Sequence, residues 1–149
     1  MKKIINSKNA ADTIAIGIKI GNLLENNSCI TLSGDLGAGK TCFTKGIAKA
    51  LNIERRVTSP TFTIMKIYHG DKDLYHFDAY RLEGLHQDLG FEEYFDGDGI
   101  AVIEWYEYMA DFNLDEFLEI QIKINEDDSR DLIIIPHGKK YEKIVEELK

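Results

Sequence analysis

Cysteine is nearly absent from this sequence: Cys29 and Cys42 are the two among 149 residues. There is no CxxC pair and no His–Cys spacing of a zinc site, which excludes a disulfide scaffold and a zinc-held fold. Both thiols read as reduced and structural. Arginine is scarce as well, with Arg55, Arg56, Arg81 and Arg130 the full set, and the net charge is −8. A protein that grips nucleic acid by itself clusters Lys and Arg and releases counterions on binding. Here the basic residues are scattered, so any RNA is expected to be held by a partner. No apolar run approaches the ~20 residues that span a bilayer. The start, Met1 to Asn6, is basic without the apolar segment of a secretory signal. The expected address is the cytoplasm. Repeats, low-complexity tracts and Pro/Ser-rich linkers are also missing, so residues 1–149 are expected to form a single domain.

What remains is an ordinary globular balance, 44% hydrophobic and 30% charged, in a chain long enough to bury roughly 70% of its unfolded surface. Asn6 or Ser7 is expected to cap a first helix running to about Glu25, with Ala11, Ile14, Ala15 and Ile18 as its apolar face. Cys29 to Ser33 reads as a short buried strand, and Lys40 to Leu51 as a helix. Thr63 to Tyr68 and Asp73 to Asp78 read as strands joined by the turn His69-Gly70-Asp71-Lys72. Leu85 to Phe95 reads as helix broken around Gly90. Ile100 to Ile103 suits a buried strand ending at Glu104. Leu118, Ile120, Ile122 and Ile124 alternate with polar residues, a half-exposed strand expected to pair with Leu132 to Ile135 across the turn Asn125 to Arg130. A last helix after Gly138 presents Tyr141, Ile144, Val145 and Leu148. The fold class expected is α/β, a mixed sheet flanked by helices.

Between the first buried strand and its helix lies Gly34-Asp35-Leu36-Gly37-Ala38-Gly39-Lys40-Thr41, a full match to G-x-x-x-x-G-K-[ST]. Strand, glycine loop and helix are the context in which this pattern cradles phosphates. Glycines permit the curl, successive backbone N–H groups face phosphate oxygens, and the helix N-terminus adds positive potential. Lys40 is expected to reach the β- and γ-phosphates, and the Thr41 hydroxyl to ligate Mg²⁺. Nucleotide contacts are expected from Asp35, Leu36, Gly37, Ala38, Gly39, Lys40, Thr41 and Cys42. A glycine-rich turn is the alternative, which the flanking strand and helix disfavour.

Hydrolysis needs an acid beside the loop and a group that orients water. Asp78 and Glu104 each end an apolar strand-like run, and either is placed to hold Mg²⁺ directly or through water. The alternative for each is a strand-end carboxylate that caps a helix. Thr58-Ser59-Pro60-Thr61 reads equally as a switch segment that completes the Mg²⁺ shell or as a proline turn.

Taken together, the loop, Phe43-Thr44-Lys45-Gly46, Val57-Thr58-Ser59-Pro60-Thr61-Phe62, Tyr75-His76-Phe77-Asp78-Ala79-Tyr80-Arg81-Leu82, Gly90-Phe91-Glu92-Glu93-Tyr94 and Val102-Ile103-Glu104-Trp105 resemble the TsaE (YjeE) family of small bacterial ATPases. The likeness runs from about Ser33 to Glu107. It implies an ATP-binding, Mg²⁺-dependent ATPase, weak alone, that serves N6-threonylcarbamoyladenosine formation beside the anticodon of tRNA. The implied partners are TsaD and TsaB, with tRNA met through their complex. The implied Mg²⁺ ligands are Thr41 and Glu104, with Thr61 nearby, Asp78 positioning water or metal, and Trp105 at the nucleotide; the alternative for Trp105 is a core aromatic after its strand.

Other classes fit less well. A small-molecule kinase needs an arginine-rich lid, for which four dispersed arginines are thin material. Asp96-Gly97-Asp98-Gly99 fits the D-x-x-G of a GTPase, yet no N-K-x-D occurs, and the segment lacks the glycine and glutamate of a calcium loop. A binding module that uses hydrolysis to reset a complex merges with the family reading. Glu92, Glu93, Asp96 and Asp98 read as a solvated acidic cluster or as a face for a basic partner. Arg81 reads as acting on the γ-phosphate or as pairing with an acid.

Overall fold

The computed structural model describes residues 2–35, 37–58, 65–78, 98–104 and 116–148. Strands β1 (Lys3–Ser7), β2 (Ser28–Gly34), β3 (Met65–Tyr68), β4 (Leu74–Asp78), β5 (Ile100–Glu104), β6 (Phe117–Ile124) and β7 (Arg130–His137) form one sheet, with helices α1 (Ala10–Leu23), α2 (Lys40–Ala50) and α3 (Lys139–Glu147). The strand order is β1-β7-β6-β2-β5-β4-β3. The centre is parallel: β2 pairs with both β5 and β6, and β4 with β5. Both flanks are antiparallel, β3 on β4 at one side and β6-β7-β1 at the other. The expected α/β class with a mixed sheet is therefore the one observed.

Side chains alternate across a strand, and this sorts the sheet into two faces. Ile30 and Leu32 of β2, Ile100 and Val102 of β5, Leu118 and Ile120 of β6, and Leu132 and Ile134 of β7 share a buried cluster with Ile16 and Ile20 of α1, Phe43 and Ile47 of α2, and Tyr141 and Ile144 of α3. The three helices therefore cover this face. Leu74 of β4 belongs to the same cluster, so His76 and Asp78 point to the helix side as well.

The first elements differ from the sequence expectation. Residues 3–7 form strand β1 rather than leading into a helix cap, because their alternating pattern seats against β7. Helix α1 begins later, capped by Asn9, whose Oδ1 accepts the Asp12 N–H at 2.9 Å. Asp12 also reaches back to accept the Lys8 N–H at 3.0 Å, one residue before the cap. Ser7 instead bonds the Asn9 carbonyl and Thr13 Oγ1.

The buried face of α1 is Thr13, Ile16, Gly17, Ile20 and Gly21, not Ala11, Ile14, Ala15 and Ile18. The cause is the crossing with α2. A Cβ on Gly17 would overlap the Phe43 carbonyl oxygen, and one on Gly46 would overlap the Ile14 carbonyl oxygen. Glycine on both helices brings their backbones together, and that contact outweighs the apolar stripe beside it. The expected strands at Asp73–Asp78, Ile100–Glu104, Leu118–Ile124 and Leu132–Ile135, and the last helix, all form within a residue or two at most ends. The expected helix at Leu85 to Phe95 and the acidic residues Glu92, Glu93 and Asp96 lie outside the described residues. Among the described residues no helix is long and apolar enough to cross a membrane.

Candidate functional site

The four central strands run parallel, so their C-terminal ends share one edge of the sheet, the edge at which open α/β sheets bind ligands. At this edge β2 breaks at Gly34 and the chain turns through residues 35–39 into α2. Gly34, Gly37 and Gly39 have φ of +150°, +80° and +113°. A Cβ at Gly34 would also stand 2.6 Å from the Ile122 carbonyl oxygen of β6. Within the turn the Ala38 N–H bonds the Asp35 carbonyl at 3.0 Å.

Gly39 is the N-cap of α2 and no side chain caps that helix. The start of this helix presents the partial positive charge of its macrodipole to the loop. Lys40, the first helical residue, is buried and folds back so that Nζ donates to the Gly34 carbonyl at 2.7 Å. This bond joins the two ends of the loop. Thr41 and Cys42 follow on the first turn, both half-buried.

The acids arrive from the neighbouring strands. Glu104 is the register partner of Leu32 on β2, two residues before the loop begins. Asp78 is the register partner of Glu104 on β4. Both carboxylates are buried and both face the helix side of the sheet, so they stand side by side at this edge. The structure thus brings Asp35, Gly37, Ala38, Gly39, Lys40, Thr41, Cys42, Asp78 and Glu104 to one edge. Leu36, Thr61, Trp105, Arg81 and most of Thr58 to Thr61 lie outside the described residues.

Two further side chains join this edge. His76 of β4 is fully buried, and its Nε2 lies 2.5 Å from Glu104 Oε2. A carboxylate only accepts, so the ring nitrogen donates. Arg130, the first residue of β7, reaches under the loop: Nε donates to the Ala38 carbonyl at 3.2 Å and Nη2 to the Gly37 carbonyl at 3.4 Å. A trans peptide points its C=O and the next N–H in opposite directions. Holding the Ala38 carbonyl towards Arg130 therefore aims the Gly39 N–H the other way.

A sequence model of the family described as "Threonylcarbamoyl adenosine biosynthesis protein TsaE" matches residues 7–132. The chain belongs to the TsaE family. It is 45% identical over 141 residues to the tRNA threonylcarbamoyladenosine biosynthesis protein TsaE of Bacillus subtilis, covering 94% of this chain and 89% of that protein. It is 42% identical over 130 residues to the Treponema pallidum protein of the same name, covering 86% and 96%. The crystal structure of Bacillus subtilis YdiB superposes with a TM-score of 0.86 at 36% identity, covering 99% of this chain and 93% of that one.

Sequence alone assigns neither His76 nor Arg130 a role at this edge. His76 lies within the Tyr75–Leu82 motif of the family resemblance without a role of its own, and Arg130 reads as the end of a turn and as poor lid material. The period-2 spacing His76–Asp78 was the available signal for the first. Nothing local signals the second, because its loop partner lies 92 residues away.

Proposed function

We propose that this chain binds ATP with Mg²⁺ at Gly34–Thr41 and hydrolyses it as an accessory to N6-threonylcarbamoyladenosine formation in tRNA. Family membership supports a role in tRNA threonylcarbamoyladenosine biosynthesis. The observation that carries the nucleotide reading is the shared edge: a positive-φ glycine loop, an uncapped helix start and two register-paired buried acids meet there.

In this reading the backbone N–H groups of residues 35–42 cradle the phosphates, and Lys40 moves from the Gly34 carbonyl to the β- and γ-oxygens. Thr41 Oγ1 and Glu104 are the protein ligands for Mg²⁺, which when bound neutralises charge building between those phosphates. Among the described residues no three His, Cys, Asp or Glu side chains form a ready-made metal cluster. The hydroxyl of Thr41 and the carboxylate of Glu104 are a donor set that suits magnesium, which keeps several waters and takes one or two carboxylates beside phosphate oxygens. Asp78, next to Glu104, would position the attacking water or the metal. Thr61 and Trp105 complete the nucleotide site by family resemblance. The partners are TsaD- and TsaB-type proteins in the cytoplasm, with tRNA held by their complex, consistent with the net charge of −8. ATP is favoured over GTP because no N-K-x-D occurs in the sequence.

Depleting the protein is expected to lower threonylcarbamoyladenosine in total tRNA, measured by nucleoside mass spectrometry; unchanged levels refute the pathway role. Lys40→Ala is expected to lose ATP affinity in a direct titration, and unchanged binding refutes the loop assignment. Glu104→Ala is expected to keep metal-free nucleotide binding and lose Mg²⁺-dependent hydrolysis. A wild-type rate in that variant transfers the principal metal role to Asp78.

A further inference from the structure

His76 has no assigned part in the reading above, yet its arrangement is costly for a residue that merely fills the core. The ring is fully buried. Nε2 is committed to Glu104 Oε2 at 2.5 Å. The other nitrogen, Nδ1, is buried and has no hydrogen-bond partner among the described residues. Buried polar atoms are almost always paired, and an exception calls for an explanation. A leucine, as borne by the same face at Leu74, would fill the space without leaving such an atom. What the imidazole adds is a single N–H aimed at one oxygen of one carboxylate.

The strand register explains how it gets there. His76 pairs with Val102 and Asp78 with Glu104, so His76 is the diagonal neighbour of Glu104 on the same sheet face. A free glutamate rotates about its last torsion with a broad preference. A donor held rigidly in the core at Oε2 removes that freedom and leaves Oε1 as the oxygen for a ligand at the sheet edge. Carboxylates that ligate metals are commonly oriented by such an outer hydrogen bond.

We propose that His76 is a positioning residue that fixes the Glu104 carboxylate through its Nε2–H, so that Oε1 faces the Mg²⁺ of the bound nucleotide. This rests on the reading of Glu104 as a metal ligand. The role belongs to one ring position, and two conservative variants separate it from simple packing. In His76→Gln the amide nitrogen falls near the position of Nε2 and can donate to Glu104. In His76→Asn it falls near Nδ1 and cannot reach.

The test follows binding of a fluorescent ATP analogue in EDTA and across a Mg²⁺ titration, for wild type, His76→Gln, His76→Asn and Glu104→Gln, with hydrolysis measured in parallel. His76→Asn is expected to raise the half-saturating Mg²⁺ concentration about 10–100-fold, the usual loss when such a support is removed, with affinity in EDTA unchanged. His76→Gln is expected to stay close to wild type. Wild-type Mg²⁺ dependence in His76→Asn, alongside a shifted Glu104→Gln, overturns the proposal. Equal loss in both His76 variants, or loss in EDTA that matches the loss in Mg²⁺, also overturns it, since the ring then serves the fold. If Glu104→Gln itself leaves the Mg²⁺ dependence unchanged, the metal reading of Glu104 has failed, and the proposal falls with it.

Discussion

Arg130 acts on the glycine loop from behind, through two carbonyl oxygens rather than through any ligand. One of its loop bonds is 3.2 Å and the other a long 3.4 Å, and the side chain is partly exposed. Their joint worth is then about that of one ordinary hydrogen bond, ~1 kcal/mol. Arg130→Ala is accordingly expected to weaken ATP binding several-fold without unfolding the protein, as read by nucleotide titration and circular dichroism. Lysine at this position is expected to restore little, because an ammonium cannot span two carbonyls as a planar fork does. The residues legible in sequence were those whose chemistry is local: the glycines, Lys40 and Thr41 lie within one octapeptide, and Asp78 and Glu104 each end a strand. His76 and Arg130 act across strands or across the length of the chain, and a linear pattern carries no trace of that. The two cysteines also divide at this scale. Burial pushes the Cys29 thiol up to about 12, whereas Cys42 is half-buried beside the loop. A maleimide reagent at neutral pH is expected to label Cys42 alone until the protein is unfolded, with ATP slowing that reaction.

At the scale of elements, the start of β2 shows how a helix can stand in for a strand. β6 pairs with β2 from Ile30 onward, and the Cys29 N–H is taken instead by Tyr141 Oη of α3 at 2.8 Å. Tyr141→Phe leaves that buried N–H without an acceptor and is expected to cost about 1–3 kcal/mol, measurable by urea denaturation. Burial also raises the Tyr141 hydroxyl from 10.0 to about 12, partly offset by the bond from Cys29. Cys29, with an ordinary value of 9.0, is raised in the same direction. The unfolded chain therefore releases these protons first. Stability is fully present below pH 9 and falls as pH climbs from 9 to 12. A melting series over that range is expected to show the decline, shallower when Cys29→Ala and Tyr141→Phe are combined. The α1–α2 crossing makes a different demand. Gly46→Ala forces a methyl into backbone and is expected to cost about 1–3 kcal/mol or more. Because α2 carries Lys40 and Thr41, nucleotide affinity is expected to fall with it. Sequence locates α1, α2 and α3 but not which side of α1 is buried, since two glycines contribute nothing to an apolar stripe and decide the contact by what they omit.

For the whole molecule, a parallel centre with antiparallel wings puts every strand end that bears a candidate site residue on one edge. A ligand bound there stabilises the fold by mass action. ATP with Mg²⁺ at 100 times its dissociation constant is expected to add about 2.7 kcal/mol. For a chain of this size that is roughly a 5–10 °C rise in melting temperature, and Lys40→Ala is expected to lose the shift. The acidic surface leads to a complementary outcome: the isolated protein is expected to show no salt-sensitive binding to tRNA in a filter assay. Fold class was legible from sequence because the alternation of buried strands and helices is strong. Strand order was not, since β1 joins the sheet at its far side beside β7, remote from β2, to which it is nearest in sequence.

That order has a consequence in time. A ribosome delivers Lys3–Ser7 well before residues 130–134, with which this strand pairs. Arg130 in turn reaches a carbonyl 92 residues upstream. Contacts so far apart in the chain close slowly. The glycine loop and α2 therefore emerge long before the hairpin that braces them, and a nascent chain arrested short of Arg130 is expected to capture an ATP analogue poorly. On the proposed reading, competence for the nucleotide is expected to be a late event in the life of the polypeptide, acquired with the β6–β7 hairpin rather than with the motif that announces it.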